Sequence, residues 1–221
     1  MEQYKAVLFD LDGTLTESGE GITKSVQYAL NRIGVYEQNL ENLRCYIGPP
    51  LLESFMKFGG LDREKAKMAL KYYRERFTEI GIFENALYPG IQDLLEHLKK
   101  EGKLIAVASS KPEPFVKRIT DYFGITDYFD VITGSTLDEK RTEKIEVIEE
   151  TLKRLGLEES RNDTVMVGDK EYDVIGAHLA GIRCIGVLYG YGSREEIDSA
   201  GPDEIAGTVY ELDKLLIPVI E

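Results

Sequence analysis

Two aspartates one residue apart are the first groups in this chain that could do chemistry. Asp10 and Asp12 follow the apolar run Ala6-Val7-Leu8-Phe9 and precede a Gly13-Thr14 step. A short apolar run ended by turn residues predicts a strand buried on both faces. Carboxylates at its C-terminal end would then stand at the mouth of an open α/β sheet, where such sheets bind ligands. Side chains alternate along a strand, so Asp10 and Asp12 address one cavity only if the backbone turns between them. With a sharp turn at Gly13, one can serve as metal ligand and nucleophile and the other as proton donor. The plain alternative is an Asp-rich turn that caps a strand. An EF-hand loop is excluded because it needs Gly at its sixth position, where Leu15 stands.

Other polar residues fall at corresponding places. Ser109 and Ser110 follow the apolar run Leu104–Ala108, and Gly168-Asp169 follows Thr164–Val167. Asp173 lies four residues beyond Asp169, one helical turn on along the same side. Asp10, Asp169 and Asp173 would form an oxygen-rich cluster suited to a hard cation such as Mg²⁺. Singly, Asp169 and Asp173 read equally well as an N-cap with a first-turn acid. The Ser109 hydroxyl and the backbone N–H groups after it could cradle a phosphate at the following helix start, or form a simple turn before Pro112. A lysine near the third strand's end would neutralise the nucleophile and the transferring group. Lys140 and Lys144 are the two candidates, and the position of Lys144 just before the apolar helix residues Ile145 and Ile148 favours it. His97 and His178 lie inside helix patterns, away from these strand ends, and read as structural or solvated.

The elements that must position these groups follow from periodicity. Ile22, Val26, Ala29, Leu30 and Ile33 share one helical face, with Gly34 as a stop. Short helices are predicted over Leu40–Tyr46 and from Leu51 to Met56. Asp62 caps a long helix whose apolar stripe is Ala66, Ala69, Leu70, Tyr73, Phe77 and Ile80. That stretch carries no strand signal and reads as a small helical bundle inserted after the first strand, its aromatics forming bundle core. Beyond Tyr88-Pro89-Gly90, helix and strand patterns alternate, with strands at Leu104–Ala108, Tyr128–Thr133, Thr164–Val167 and Cys184–Leu188. Phe115, Val116, Ile119, Tyr122 and Phe123 form the inward face of one intervening helix. Such alternation predicts an α/β fold with a parallel sheet flanked by helices.

Composition narrows the function. A chain of 221 residues with 43% hydrophobic content can bury one full core and a smaller subdomain. Lys and Arg total 27 against 40 Asp and Glu, a formal charge of -13. That balance argues against nucleic-acid and membrane partners, both of which want basic patches. An anionic substrate would need a local positive site, most simply a cation with a lysine. The N-terminal residues carry no signal-peptide pattern, and no apolar run has the length of a membrane span. Cys45 and Cys184 lack metal or disulfide spacing, so reduced thiols and a cytoplasmic location are expected.

Phe9-Asp10-Leu11-Asp12-Gly13-Thr14 resembles the first motif of the haloacid dehalogenase (HAD) superfamily, whose members are mostly Mg²⁺-dependent phosphatases. Ser109, a lysine at a helix start, and Gly168-Asp169-x-x-x-Asp173 follow in that family's order. Tyr88-Pro89-Gly90 resembles the family's return from cap to core, and Ile47-Gly48-Pro49-Pro50-Leu51 a cap segment of phosphoglycolate-phosphatase-like members. The resemblance implies a Rossmann-like core over residues 1–16 and 84–221, and a helical cap domain of the first type over residues 17–83. It implies that Asp10 is the nucleophile that forms an aspartyl-phosphate and Asp12 the general acid/base. Mg²⁺ would be held by Asp10, the Asp12 carbonyl and Asp169, with Asp173 in support. Thr14, Ser109, Ser110 and Lys144 or Lys140 would bind the phosphoryl group. The lysine segment lacks the Lys-Pro signature common in close relatives, and Glu17 stands where many cap-bearing members have Asp.

The expected activity is hydrolysis of a small-metabolite phosphomonoester, with phosphoglycolate as first guess, by a monomer or homodimer. A 5'-nucleotidase and a β-phosphoglucomutase-like phosphomutase are the alternatives. A dehalogenase needs neither Mg²⁺ nor an acid like Asp12. A response-regulator receiver would lack both the helical insertion and the Asp-x-Asp-Gly-Thr turn.

Overall fold

A computed structural model describes residues 4–138 and 140–217. The chain divides into two compact units, residues 4–16 with 87–217, and Glu17–Ala86. It enters through strand β1 (Ala6–Phe9), every residue of which is buried. It leaves the first unit at β2 (Thr16–Glu17) and returns at β3 (Ala86–Leu87), two short strands that pair with each other.

The second unit is helical. Its main elements are α1 (Gly19–Arg32), a 3-10 helix at Leu40–Tyr46, α2 (Leu51–Lys57) and α3 (Arg63–Glu79). Asp62 accepts from the Lys65 backbone N–H at 2.9 Å and starts α3. Ile22, Val26, Ala29 and Leu30 of α1 and Ala66, Ala69, Tyr73 and Phe77 of α3 are buried, and Tyr73 and Phe77 stack with ring centroids 5.2 Å apart. Ile80, placed on the α3 stripe by periodicity, is instead 53% exposed, because α3 has ended at Glu79. Arg76 grips Glu84 with two hydrogen bonds, 2.8 and 3.0 Å, and donates a third to Ser25 at 3.0 Å.

The first unit continues as alternating helix and strand: α4 (Ile91–Lys100), β4 (Leu104–Pro112), α5 (Glu113–Tyr122), β5 (Val131–Ser135), α6 (Lys144–Leu155), β6 (Thr164–Gly168), α7 (Glu171–Leu179), β7 (Arg183–Val187), α8 (Arg194–Ala200), β8 (Glu204–Ala206) and α9 (Val209–Leu216). Six strands form one sheet in the order β5-β4-β1-β6-β7-β8, and every pairing is parallel. This is the parallel α/β sheet expected from the alternation. On one face, Val147, Ile148 and Leu152 of α6 and Val174 and Ala177 of α7 pack against Leu8, Ala106, Ala108, Met166 and Cys184. Each large apolar side chain so removed from water contributes about 1.5–3 kcal/mol. No helix among the described residues is long and apolar enough to cross a membrane.

Further details differ from periodicity. The strand expected from Tyr128 begins at Val131, because the N–H groups of Tyr128 and Phe129 are taken up by turn bonds to Ile125 and Thr126. Tyr122, expected inward, is 55% exposed and lies edge-on to Phe123 at the end of α5. The sixth strand, β8, has only three residues, too few to give a period.

Candidate active site

Strand β1 lies between β4 and β6, with Phe9 in register with Val107 on one side and Val167 on the other. The chain crosses to β4 and β5 on one flank and later to β6, β7 and β8 on the other. The C-terminal end of β1 is therefore the switch point where an open parallel sheet leaves a crevice. Asp10 sits there, its backbone N–H bonded to the Val167 carbonyl at 2.9 Å. The chain then turns at Gly13, whose φ of +89° is a left-handed conformation that a side chain would strain. A Cβ there would also lie 2.1 Å from Asp169 Oδ2. The turn is closed by Thr14, Leu15 and Thr16 N–H groups, all bonded to the Leu11 carbonyl.

Asp169 and Asp173 reach the same point from the end of β6 and the first turn of α7. One carboxylate oxygen from each of Asp10, Asp169 and Asp173 lies within 4.8 Å of the others, and all three residues are buried. Asp173 takes the first-turn place at the start of α7 and also faces Lys144. Its Oδ2 accepts from the Lys170 N–H at 3.0 Å and holds the helix start, while its Oδ1 lies 2.7 Å from the Lys144 ammonium. That second contact is an ion pair without hydrogen-bond alignment, since Oδ1 has no aligned donor.

Lys144 is the first residue of α6, and Glu146 fixes that helix start by accepting from the N–H groups of Thr142 and Glu143. Its Nζ donates to Asp10 Oδ1 at 2.8 Å and to the Ala108 carbonyl at 3.2 Å, with the side chain only 6% exposed. Lys140 stays in solvent, 83% exposed and paired with Asp138 at 2.8 Å. Of the two lysines, the structure brings only Lys144 to the acids.

Charge in this cluster is out of balance. Burial pushes the Asp10 carboxyl up to about 6, with Lys144 opposing and Asp173 adding to the shift. Asp169 is driven well above the usual carboxylate range by burial and then by Asp173 and Asp10. Burial works against the Lys144 charge, but the Asp10 and Asp173 carboxylates outweigh it and raise its pKa. With all three acids ionised, one lysine leaves two negative charges uncompensated in a low-dielectric site. A divalent cation could balance that charge, and a set of carboxylate oxygens suits a hard one such as Mg²⁺.

Asp12 faces a different partner. Its Oδ2 lies 2.7 Å from Lys111 Nζ, with both side chains at most 10% exposed, and its buried Oδ1 has no partner. Lys111 escapes a sequence reading because it lies beyond the apolar part of β4. The strand runs on to Pro112 with a shift in register after Ser109. The only signal was a basic residue two positions past Ser109. Ser109 is buried at the end of the regular part of β4, and its hydroxyl accepts from the Lys111 N–H at 3.3 Å. Ser110 beside it is half-buried. The Thr14 hydroxyl is directed to Asp169, donating to Oδ1 at 3.3 Å. His97 and His178 instead pair with Asp213 (2.8 Å) and Asp203 (3.1 Å).

Comparison with known proteins shows the family. A family model described as haloacid dehalogenase-like hydrolase matches residues 7–187. The chain is similar to a protein named 5'-nucleotidase from Pseudomonas aeruginosa, 43% identical over 214 residues that cover 97% of this chain and 96% of that one. It is also similar to a protein named phosphoglycolate phosphatase from Pseudomonas fluorescens, 32% identical over 94% of this chain and 78% of that one. The crystal structure of a predicted phosphatase from Clostridium acetobutylicum superposes with a TM-score of 0.94 at 46% identity, covering 98% of this chain and 100% of that one.

Proposed function

Because this chain belongs to the haloacid dehalogenase-like hydrolases and is a phosphatase of that family, we propose that it hydrolyses small phosphomonoesters with Mg²⁺ through an aspartyl-phosphate on Asp10. The observation that carries this reading is the buried cluster of Asp10, Asp169 and Asp173 around a single lysine at the sheet's switch point. Asp10, the Asp12 carbonyl, Asp169 and Asp173 would hold the cation. When bound, it supplies the positive charge that lets an anionic phosphoryl group approach a carboxylate.

The Asp10 carboxylate attacks phosphorus, the ester P–O bond breaks, and the leaving alkoxide takes a proton from Asp12. Water then attacks the aspartyl-phosphate at phosphorus and gives its proton to Asp12, which frees Asp10 and inorganic phosphate. Lys144 balances charge on Asp10 and the transferring group, and Ser109, Ser110 and Thr14 line the phosphoryl position. Lys111 orients the Asp12 carboxyl group, which enters the first transfer as the neutral acid and leaves it as the carboxylate that takes the proton from water.

For the leaving group we favour nucleoside 5'-monophosphates over phosphoglycolate, because the relative named 5'-nucleotidase is 43% identical to this chain and the one named phosphoglycolate phosphatase 32%. The test is phosphate release from nucleoside 5'-monophosphates, phosphoglycolate and hexose phosphates, with Mg²⁺ and with EDTA. Release that needs Mg²⁺ and favours one class supports the reading. Phosphoryl transfer between sugar hydroxyls without release would make the protein a mutase, and silence with every ester contradicts the proposal.

A further inference from the structure

We propose that the segment Leu188–Ser193, which follows β7 and contains none of the residues assigned above, is the positioning element that sets Asp169 for cation binding. The inference rests on the metal reading given under the proposed function. The backbone N–H of Tyr191 donates to Asp169 Oδ2 at 2.8 Å, while the Thr14 hydroxyl donates to Oδ1 at 3.3 Å. Each carboxylate oxygen thus has one donor from the protein, and a remaining lone pair on each can face a cation. The two donors come from different parts of the chain, so the plane of the carboxylate is fixed from two sides.

Gly190 and Gly192 flank Tyr191, and space rather than backbone conformation explains them, since neither has a positive φ. A Cβ on residue 190 would stand 2.3 Å from the Gly13 carbonyl, 2.4 Å from Asp169 Cβ and 2.6 Å from Asp169 Oδ2. A Cβ on residue 192 would stand 1.9 Å from the Asp169 carbonyl oxygen. The backbone of the segment therefore lies directly against Asp169 and the Gly13 turn, in volume that any side chain would take. It is anchored at its start. Leu188 N–H bonds to the Ala206 carbonyl at 3.0 Å, and the Tyr189 hydroxyl donates to the Thr14 carbonyl at 3.1 Å. The Tyr189 ring meets Tyr88 edge-on, with centroids 5.0 Å apart. Through these contacts one short segment ties the turn after β1 to the end of β6. Groups that orient a metal ligand without touching the metal commonly govern affinity by about 10- to 100-fold.

A merely structural role would lower stability and leave cation affinity alone, so the test reads affinity directly. Free Mn²⁺ is titrated by electron paramagnetic resonance against wild type, Gly190→Ala, Tyr189→Phe and Gly201→Ala, each checked for fold by circular dichroism and melting. Gly201 is a useful control, having φ +70° and nothing within 4 Å of its would-be Cβ. Gly190→Ala is expected to weaken Mn²⁺ binding at least tenfold, on the order seen for groups that orient metal ligands. Tyr189→Phe, which keeps the ring and loses one hydrogen bond, is expected to weaken it about three- to tenfold. Gly201→Ala is expected to melt earlier and bind Mn²⁺ as wild type does. If Gly190→Ala does not fold, Tyr189→Phe decides. Wild-type affinity in a folded Gly190→Ala or in Tyr189→Phe overturns this inference and leaves the metal reading standing. Absence of saturable Mn²⁺ binding by the wild type overturns both.

Discussion

Replacing Lys144 by Met removes the positive charge held between Asp10 and Asp173 while keeping most of the side chain's volume. In the native protein the ammonium lies 2.8 Å from Asp10 and 2.7 Å from Asp173 and is 6% exposed. Removing one partner of a buried ion pair costs about 3–5 kcal/mol, because the remaining charge is left in a low dielectric. For a domain of this size each kcal/mol moves the melting temperature by about 2–4 °C, so a fall of about 6–20 °C is expected at pH 7.5 without metal. The loss depends on pH in a definite direction. Asp10 has its carboxyl pushed up to about 6, so at pH 5 it is mostly neutral and needs Lys144 much less. The difference between wild type and Lys144→Met should therefore shrink to less than half on going from pH 7.5 to pH 5. Added Mg²⁺ should recover part of the loss at pH 7.5, since it restores positive charge to the cluster. Lys140→Met is the matched control, and its melting temperature should stay at the wild-type value. Differential scanning calorimetry of the two variants at both pH values is the assay. Equal shifts for Lys144 and Lys140, or a Lys144 penalty as large at pH 5 as at pH 7.5, would refute the reasoning. The second outcome would mean that packing rather than charge is lost.

Asp10→Asn tests the same charge balance from the acid's side. A carboxyl pushed from 3.8 up to about 6 binds protons more tightly in the folded state, so its contribution is fully present below about pH 4 and lost as pH rises through about 6. The metal-free Asn variant should accordingly gain on wild type by on the order of 2–3 kcal/mol between pH 4 and pH 7, read from denaturant melts; a gap that does not change with pH would contradict the shift. Asp12→Asn should lower kcat by about 10²- to 10⁴-fold, as loss of a general acid/base does, and leave Mn²⁺ affinity unchanged because the proposed ligand is the backbone carbonyl; loss of Mn²⁺ binding would move Asp12 into the metal set. In the helical unit, Arg76→Ala removes both Arg76 hydrogen bonds to Glu84 and leaves it Lys24 at 3.3 Å, so it should cost about 1–3 kcal/mol in chemical denaturation; an unchanged midpoint would show that the Arg76–Glu84 grip contributes nothing.

The parallel sheet was legible because each buried strand is a short apolar run and each intervening helix carries a clear stripe. The meeting of Asp10, Asp169 and Asp173 was legible for a topological reason: all three follow strands or helix starts that share one edge of a parallel sheet. Lys144 was separable from Lys140 only by its place at the head of an apolar helix. What escaped detection depends on space and long-range pairing. Lys111 meets Asp12 across ninety-nine positions of sequence, after an irregular stretch of β4 that alternation does not describe. Gly190 and Gly192 look like ordinary loop glycines, and the reason for them is the carboxylate they would strike. β8 is too short to announce itself, and Tyr128 is drawn out of its expected strand by turn hydrogen bonds that compete for its N–H.

On the proposed mechanism, Asp10 itself carries the phosphoryl group during turnover. Rapid acid quench during Mg²⁺-supported hydrolysis, followed by peptide mass spectrometry, tests it most directly. A phosphoryl adduct on Asp10, absent from the Asp10→Asn variant and from samples quenched in EDTA, is expected. An adduct on another residue, or an Asp10→Asn variant that still turns over at the wild-type rate, would contradict it.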